Sequence, residues 1–230
     1  MIHRVGTPLN LVAVGLLALI LSITGATAQA AGPPWAASRH MTVFVDSVLL
    51  GGAPALKSAM PDWRIAIRGR PALMIAAADA ELRASGDHVS PLVVVGLGYN
   101  SLWERDRRNY DVWSQRFDAG VSALLRTLRQ RGAKEIVWVT LREPSLAVVS
   151  PSGRMQFQQY AWYFPYVNAR LRRFARRRDD LVLADWQAVS NRLGLTYDLI
   201  HLNPTGAKRM ARVIEDAIRG EIHRQASAAS

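Results

Sequence analysis

The stretch Met41-Thr42-Val43-Phe44-Val45-Asp46-Ser47 decides the class of fold, because a short apolar run leads directly into two polar residues. A run of this length and composition is typical of a parallel strand that is buried on both faces. The chain contains five such runs. They are predicted as strands at residues 41–46, 64–69, 92–98, 135–140 and 181–186.

Helical patterns separate these runs. They cover residues 71–85, 112–131 and 166–178, and a last helix follows Asn203, a good N-cap, with Pro204 in its first turn. Strands that alternate with helices predict a three-layer α/β domain around a central parallel five-stranded sheet. Five strands suggest the flavodoxin-like order, with the functional residues at the carboxyl ends of the strands.

The amino terminus has the pattern of a secretory signal peptide. A basic residue, Arg4, precedes a nearly unbroken apolar run at 11–23, and small residues at 26–30 offer A-x-A cleavage sites. We therefore expect residues 1–30 to be a signal peptide of an exported protein, with an uncleaved membrane anchor as the alternative. Residues 31–40 are expected to be a linker, 41–224 the domain and 225–230 a flexible tail.

Composition narrows the classes of partner. The chain has 230 residues, which suits one domain, and its lack of cysteine excludes disulfides and thiolate chemistry. Its net charge of +11 favours anionic partners. For an exported protein these are acidic envelope polymers or lipid head groups rather than nucleic acid, and simple solubility is the alternative. The arginines at 172, 173 and 176–178 are either a solvated surface or a polyanion-binding face.

Several catalytic motifs are missing from the sequence. It contains no H-E-x-x-H, no phosphate-binding loop ending in G-K-[ST] and no G-x-S-x-G elbow. Gly96-Leu97-Gly98 follows the third strand rather than the first, and Ser101 stands where a dinucleotide-binding fingerprint has its third glycine.

Ser47 is the candidate nucleophile, because it follows the first strand and lies at the rim of the sheet. A serine hydroxyl needs a neighbouring base, and His201 lies immediately before the last helix. Asp198 precedes His201 by three residues, a spacing that lets the carboxylate hold one ring nitrogen while the other faces a serine. Taken alone, the pair is equally consistent with an ordinary helix-entry turn.

Two further strand ends carry candidate donors for an oxyanion. Gly69 ends the second strand, where a glycine lets the backbone N–H approach a ligand closely. Asn100 follows the third strand and can donate from its side-chain amide. A turn glycine and a loop-capping asparagine are the alternative interpretations.

These segments resemble the four blocks of the SGNH (GDSL-like) hydrolases. Ser47, Gly69 and Asn100 match the first three blocks, and Asp198 and His201 match the D-x-x-H of the last. The sequence is most similar to the serine-hydrolase domains attached to, or working beside, membrane O-acyltransferases that decorate polysaccharides. The resemblance implies an SGNH hydrolase fold and an esterase with a Ser47–His201–Asp198 triad. It also implies an oxyanion hole formed by Ser47, Gly69 and Asn100, and no metal or organic cofactor.

Two residues depart from the family pattern. Val45 replaces the glycine of Gly-Asp-Ser in the first block, and Ser101 replaces the aspartate that usually follows the asparagine. These changes keep open a catalytically silent glycan-binding protein, beside an O-acyltransferase that uses the same acyl-enzyme.

The irregular stretch at 141–165 ends in interleaved aromatic and glutamine residues. We expect Tyr160 and Trp162 to line the cleft for an acylated glycan or lipid, because aromatic faces stack on sugar rings. The alternative is that they anchor the loop to the core.

Overall fold

The computed structural model describes residues 32–101, 109–143, 149, 154, 157–158 and 161–229. Its centre is a sheet of five parallel strands in the order β2-β1-β3-β4-β5, which confirms the predicted flavodoxin-like arrangement. The strands are β1 (His40–Val45), β2 (Arg64–Gly69), β3 (Leu92–Gly96), β4 (Glu135–Val139) and β5 (Leu181–Ala184).

Helices cover both faces of this sheet. The described helices are α1 (Pro34–Ala37), α2 (Ser47–Leu50), α3 (Ala53–Ala59), α4 (Ile75–Ser85), α5 (Tyr110–Gln130), α6 (Phe164–Ala175), α7 (Trp186–Ser190) and α8 (Pro204–Ala229). Helix α3 packs against α8, and α4 packs against α5. Strands β3 and β4 are buried along their whole length, as expected for parallel strands between two helical layers. No helix in the described ranges is long and apolar enough to span a membrane.

Most of the predicted boundaries shift by one to four residues, and three of these shifts have a clear local cause. The third strand stops at Gly96 rather than at residue 98, because Gly98 adopts a φ of 144° that leaves the strand. Helix α4 begins at Ile75 rather than at 71, since Ala72 has a positive φ of 58°. Strand β5 stops at Ala184, because Trp186 already belongs to the short helix α7.

Both ends of the described chain are helical. The expected linker at 31–40 contains α1, and Trp35 in that helix is buried. The indole of Trp35 donates to Oε1 of Gln225 over 2.9 Å, and the Gln225 amide donates to Oε2 of Glu135 over 2.9 Å. Residues 225–229 of the expected tail form the last turns of α8, which continues to Ala229, and these contacts tie that end of the helix to α1 and β4.

Candidate active site

Ser47 lies at the turn from β1 into α2. Asp46 directly follows the strand and caps the helix, and its Oδ1 accepts the N–H of Val48 over 3.0 Å. This tight turn makes Ser47 the first residue of α2, at the carboxyl edge of the sheet. Its side chain is partly exposed at this edge, whereas Asp46 is completely buried beneath it.

Asp198 and His201 lie in the turn that leads into α8. Oδ2 of Asp198 is 2.7 Å from Nδ1 of His201, and Oδ1 accepts the backbone N–H of His201 over 2.8 Å. Burial alone would raise the pKa of Asp198, but the side-chain and backbone hydrogen bonds from His201 outweigh it, and the pKa is lowered. The carboxylate is therefore ionised near neutral pH and fixes the imidazole through two separate contacts.

The turn between these two residues is strained. Leu199 has a φ of 77°, a left-handed conformation that non-glycine residues rarely adopt. Such strain persists only where the surrounding structure holds it in place. Here it allows the Asp198 carboxylate to meet both the backbone and the ring of His201.

Nε2 of His201 is 3.0 Å from Oγ of Ser47. With a proton on Nδ1 directed at Asp198, Nε2 is free to accept the serine proton. The structure thus brings together Ser47, His201 and Asp198, the three residues that the sequence predicted as a triad although they lie far apart in the chain. The side chains of His201 and Asp198 are about two-fifths exposed, so the arrangement is open to a substrate.

Asn100 joins this group through Asp46. Its Nδ2 donates to Oδ2 of Asp46 over 3.3 Å, which leaves the second N–H without a partner among the described residues. Burial raises the pKa of Asp46 to about 7, against the lowering effects of its bond to the Val48 N–H and of the nearby His201. A buried carboxyl group therefore lies directly behind the nucleophile and orients the asparagine.

Gly69 ends β2 opposite Val45, two residues before Ser47 in the sequence. Its φ is 152°, and a Cβ at this position would lie 1.9 Å from the carbonyl oxygen of Val45 and 2.8 Å from its Cγ2. Only glycine fits there. The buried Val45 side chain thus lies against Gly69, which shows where the substituted residue of the first block packs.

Ser101, the other departure, follows Asn100 in the same loop. Its N–H donates to the carbonyl of Gly98 over 3.1 Å, so it closes the turn after β3. Its hydroxyl is buried and has no hydrogen-bond partner in the described part of the chain.

Arg142 is an important residue that the sequence reasoning missed. It is 2% exposed, lies just after β4 and has no acidic partner among the described residues. Its guanidinium donates instead to the segment that carries Asp198 and His201. The acceptors are the carbonyls of Ser190 (2.9 Å), Arg192 (2.8 Å) and Leu199 (2.8 Å) and the hydroxyl of Thr196.

These bonds link Arg142 to the strained turn. One of its acceptors is the carbonyl of Leu199, the residue with the left-handed backbone. The backbone N–H of Arg142 donates to the hydroxyl of Tyr99, one residue before Asn100, over 2.7 Å. Burial lowers the pKa of Arg142, yet the residue keeps all four side-chain acceptors. An arginine shortly after a predicted strand was the available signal.

The two aromatic residues predicted to line the substrate cleft, Tyr160 and Trp162, have different outcomes. Tyr160 lies outside the described residues. Trp162 is half-buried against the hydrophobic core, and its ring meets that of Tyr163 edge to face at 5.4 Å. The surroundings of Trp162 are those of the alternative interpretation, in which the aromatic residue anchors the loop.

The described residues contain no cluster of histidine and acidic side chains arranged to hold a metal ion.

Comparison with known proteins gives matches at the level of structure but not of sequence. No protein-family model matches the sequence, and no curated protein matches it significantly.

Solved structures do share its architecture. The C-terminal catalytic domain of peptidoglycan O-acetyltransferase A from Streptococcus pneumoniae, with a methylsulfonyl adduct, superposes with a TM-score of 0.56 at 19% identity, over 79% of this chain and 93% of that one. A GDSL-like lipase from Bacteroides thetaiotaomicron gives 0.59 at 14% identity, over 83% and 92%. An acetyl xylan esterase gives 0.60 at 15%, over 77% and 99%. Given these similarities and its sheet order, the chain has the fold of the GDSL-like, or SGNH, hydrolases.

Proposed function

We propose that this protein is an exported serine esterase that hydrolyses acyl esters, O-acetyl or similar, on a glycan or lipid of the cell envelope. One observation carries the proposal. Ser47 Oγ is 3.0 Å from Nε2 of His201, whose Nδ1 is 2.7 Å from a carboxylate oxygen of Asp198. A nucleophile, a base and a group that orients the base are the parts that acyl transfer through serine requires.

In the first half of the reaction Ser47 attacks the ester carbonyl while His201 takes its proton on Nε2. Asp198 holds the imidazolium that forms. The negative charge on the carbonyl oxygen is met by the N–H groups of Ser47 and Gly69 and by the amide of Asn100. His201 then gives its proton to the leaving alcohol oxygen, which departs and leaves the acyl group on Ser47.

In the second half water attacks the acyl-enzyme. His201 removes the proton of that water and returns it to Ser47 Oγ as the bond to the acyl carbon breaks. The products are the free acid and the regenerated serine. No metal or organic cofactor takes part in these steps.

A polysaccharide ester is the substrate we favour. Two of the structurally similar proteins are described as a peptidoglycan O-acetyltransferase and an acetyl xylan esterase, and both names pair an acetyl group with a polysaccharide. The signal-peptide pattern at 1–30 supports a location outside the cytoplasm, where envelope glycans are found. A membrane acyltransferase is a candidate partner there.

An O-acyltransferase is the second candidate. It would use the same acyl-enzyme, with a sugar hydroxyl in place of water, and the described function of the pneumococcal domain favours it. A catalytically silent glycan-binding protein is the third candidate, suggested by Val45 and Ser101. The close approach of Ser47 and His201 argues against the silent form, because a protein that only binds glycans does not need it.

The test uses the purified protein without residues 1–30 and an O-acetylated glycan. Hydrolysis predicts release of acetate equal to the loss of bound acetyl groups, and Ser47→Ala abolishes both. Transfer predicts that added unacetylated oligosaccharide gains the acetyl groups instead. If the protein binds the O-acetylated glycan but removes no acetyl groups from it, the catalytically silent glycan-binding protein is supported.

Export has its own test. Protein recovered from the envelope or medium should begin near residue 31, as determined by amino-terminal sequencing. An intact Met1 on membrane-bound protein would indicate the uncleaved anchor, and an intact Met1 on soluble cytoplasmic protein would contradict export.

A further inference from the structure

A groove lies beside Ser47 and His201, between α3 and the first turns of α8. Pro54, Ala55 and Ser58 of α3 line one side, and Lys208 and Arg212 of α8 line the other. Gly51 and Tyr197 also line the groove.

Both of these residues are bonded directly to the backbone of the triad. The N–H of Gly51 donates to the carbonyl of Ser47 over 3.4 Å, and the N–H of Tyr197 donates to the carbonyl of His201 over 2.8 Å. The groove therefore begins within one turn of the nucleophile and its base. A polymer that presents an ester to Ser47 has a path along which to continue.

The charge of the groove is positive. Lys208 and Arg212 are four residues apart on α8, so both lie on one face of the helix, and both are exposed. Neither has an ion-pair partner among the described residues, whereas Arg219 and Arg224 further along α8 pair with Glu215 and Glu221. None of the described lining residues is acidic. Two unpaired cations in a groove favour an anionic ligand.

Tyr197 adds an aromatic surface to this groove. It is 74% exposed, which is unusual for a large aromatic residue and leaves a face available for stacking. A concave site with an aromatic face and spaced cations suits a polysaccharide strand that bears carboxylates.

We propose that this groove binds a strand of acidic polysaccharide and aligns the esters on that strand with Ser47. The inference rests on the proposed function for the nature of the reaction, and it adds the class of polymer and the residues that hold it. Lys208 and Arg212 pair with carboxylates of the strand, and Tyr197 stacks on a sugar ring between them and the triad.

The test measures binding without turnover, by calorimetric titration with de-esterified polygalacturonate and with neutral dextran. The variant is Lys208→Glu with Arg212→Glu. The matched control is Arg173→Glu with Arg177→Glu, an equal change of charge at two exposed arginines in and after α6. The groove variant should bind polygalacturonate roughly tenfold more weakly or worse, and the wild-type affinity should fall with added salt. The control should bind like wild type.

Three results would overturn the proposal. Both double variants could weaken the binding of polygalacturonate equally, or the α6 pair alone could weaken it. The protein could also bind vesicles of anionic phospholipid more tightly than polygalacturonate. If the charge reversal unfolds the protein, Lys208→Gln with Arg212→Gln gives the same comparison at smaller amplitude. Because polygalacturonate without esters is not turned over, failure here leaves the triad untouched. Conversely, if the triad assignment proves wrong, the result of this binding experiment is unaffected.

Discussion

Asn100 and Asp46 are hydrogen-bonded across the edge of the sheet, with Nδ2 of the amide 3.3 Å from Oδ2 of the carboxyl group. Asp46 immediately precedes Ser47, so the residue next to the nucleophile also orients the amide proposed to hold the oxyanion. The two parts of the site, after β1 and after β3, are coupled by this partly buried hydrogen bond.

Asn100→Ala should therefore lower kcat on a short aryl ester by about 10²–10³, because one donor to the developing oxyanion is lost. KM should change little, since the donor acts most strongly in the transition state. Steady-state kinetics checks both quantities. Asn109→Ala is the matched control, because Asn109 is exposed and its side chain makes no capping bond at the start of α5. A kcat within twofold of wild type for Asn100→Ala would remove this residue from the site.

Arg142 holds the strained turn between Asp198 and His201 through the carbonyl of Leu199. We expect Arg142→Lys to keep the charge but lose most of the four side-chain bonds, because an ammonium group cannot reproduce the planar fork of a guanidinium. Displacement of His201 by about 1 Å should lower kcat on the order of a hundredfold with little change in KM.

Two further readouts separate positioning from general destabilisation. The downfield proton resonance of the Asp198–His201 hydrogen bond should disappear in folded Arg142→Lys. Free guanidinium should restore part of the activity of Arg142→Ala. If Arg142→Lys melts lower but keeps the resonance and kcat, the residue serves stability alone.

Glu135 gives stability a pH dependence. Burial first, and then the nearby charge of Glu221, raise its pKa from 4.5 to about 7. The folded state therefore favours the protonated form. The stability that this group contributes is present below about pH 4.5 and is lost as the pH rises through about 7.

Glu135→Gln should remove this loss and stabilise the protein above pH 7 by an amount on the order of 3 kcal/mol, the free energy of such a shift. Urea unfolding at pH 5 and pH 8 measures the difference. Asp216→Asn, at an exposed position of α8, should change stability little at either pH. If Glu135→Gln changed the free energy of unfolding equally at pH 5 and pH 8, Glu135 would not be the source of this pH dependence.

The sheet could be predicted from the sequence because each buried strand is a separate apolar run, as in 92–98, and the ends of these runs needed little correction. The pairing of Ser47 with His201 also followed from topology, since Ser47 follows the first parallel strand, His201 comes after the last one, and the carboxyl ends of parallel strands share one edge of the sheet. Local sequence patterns were sufficient for prediction wherever the residues of a single strand or helix determined the structure.

Contacts between distant parts of the chain could not be predicted in this way. Arg142 is separated by 48 to 57 residues from its side-chain acceptors at 190–199, and its position shortly after a predicted strand does not by itself indicate these contacts. Trp35 and Gln225 stood in segments whose composition resembles linker and tail, yet they meet over 190 residues of sequence. Such contacts depend on packing, which periodicity does not encode.

The identity of the nucleophile is the central claim, and covalent labelling tests it most directly. Protein treated with a fluorophosphonate and digested with trypsin should carry the adduct on the peptide of residues 40–57, in which Ser47 is the only serine. Labelling should require the base, so His201→Ala should react far more slowly. The account predicts one adduct per chain at Ser47, lost in Ser47→Ala. An adduct on any other serine, or wild-type labelling of Ser47→Ala, would contradict it.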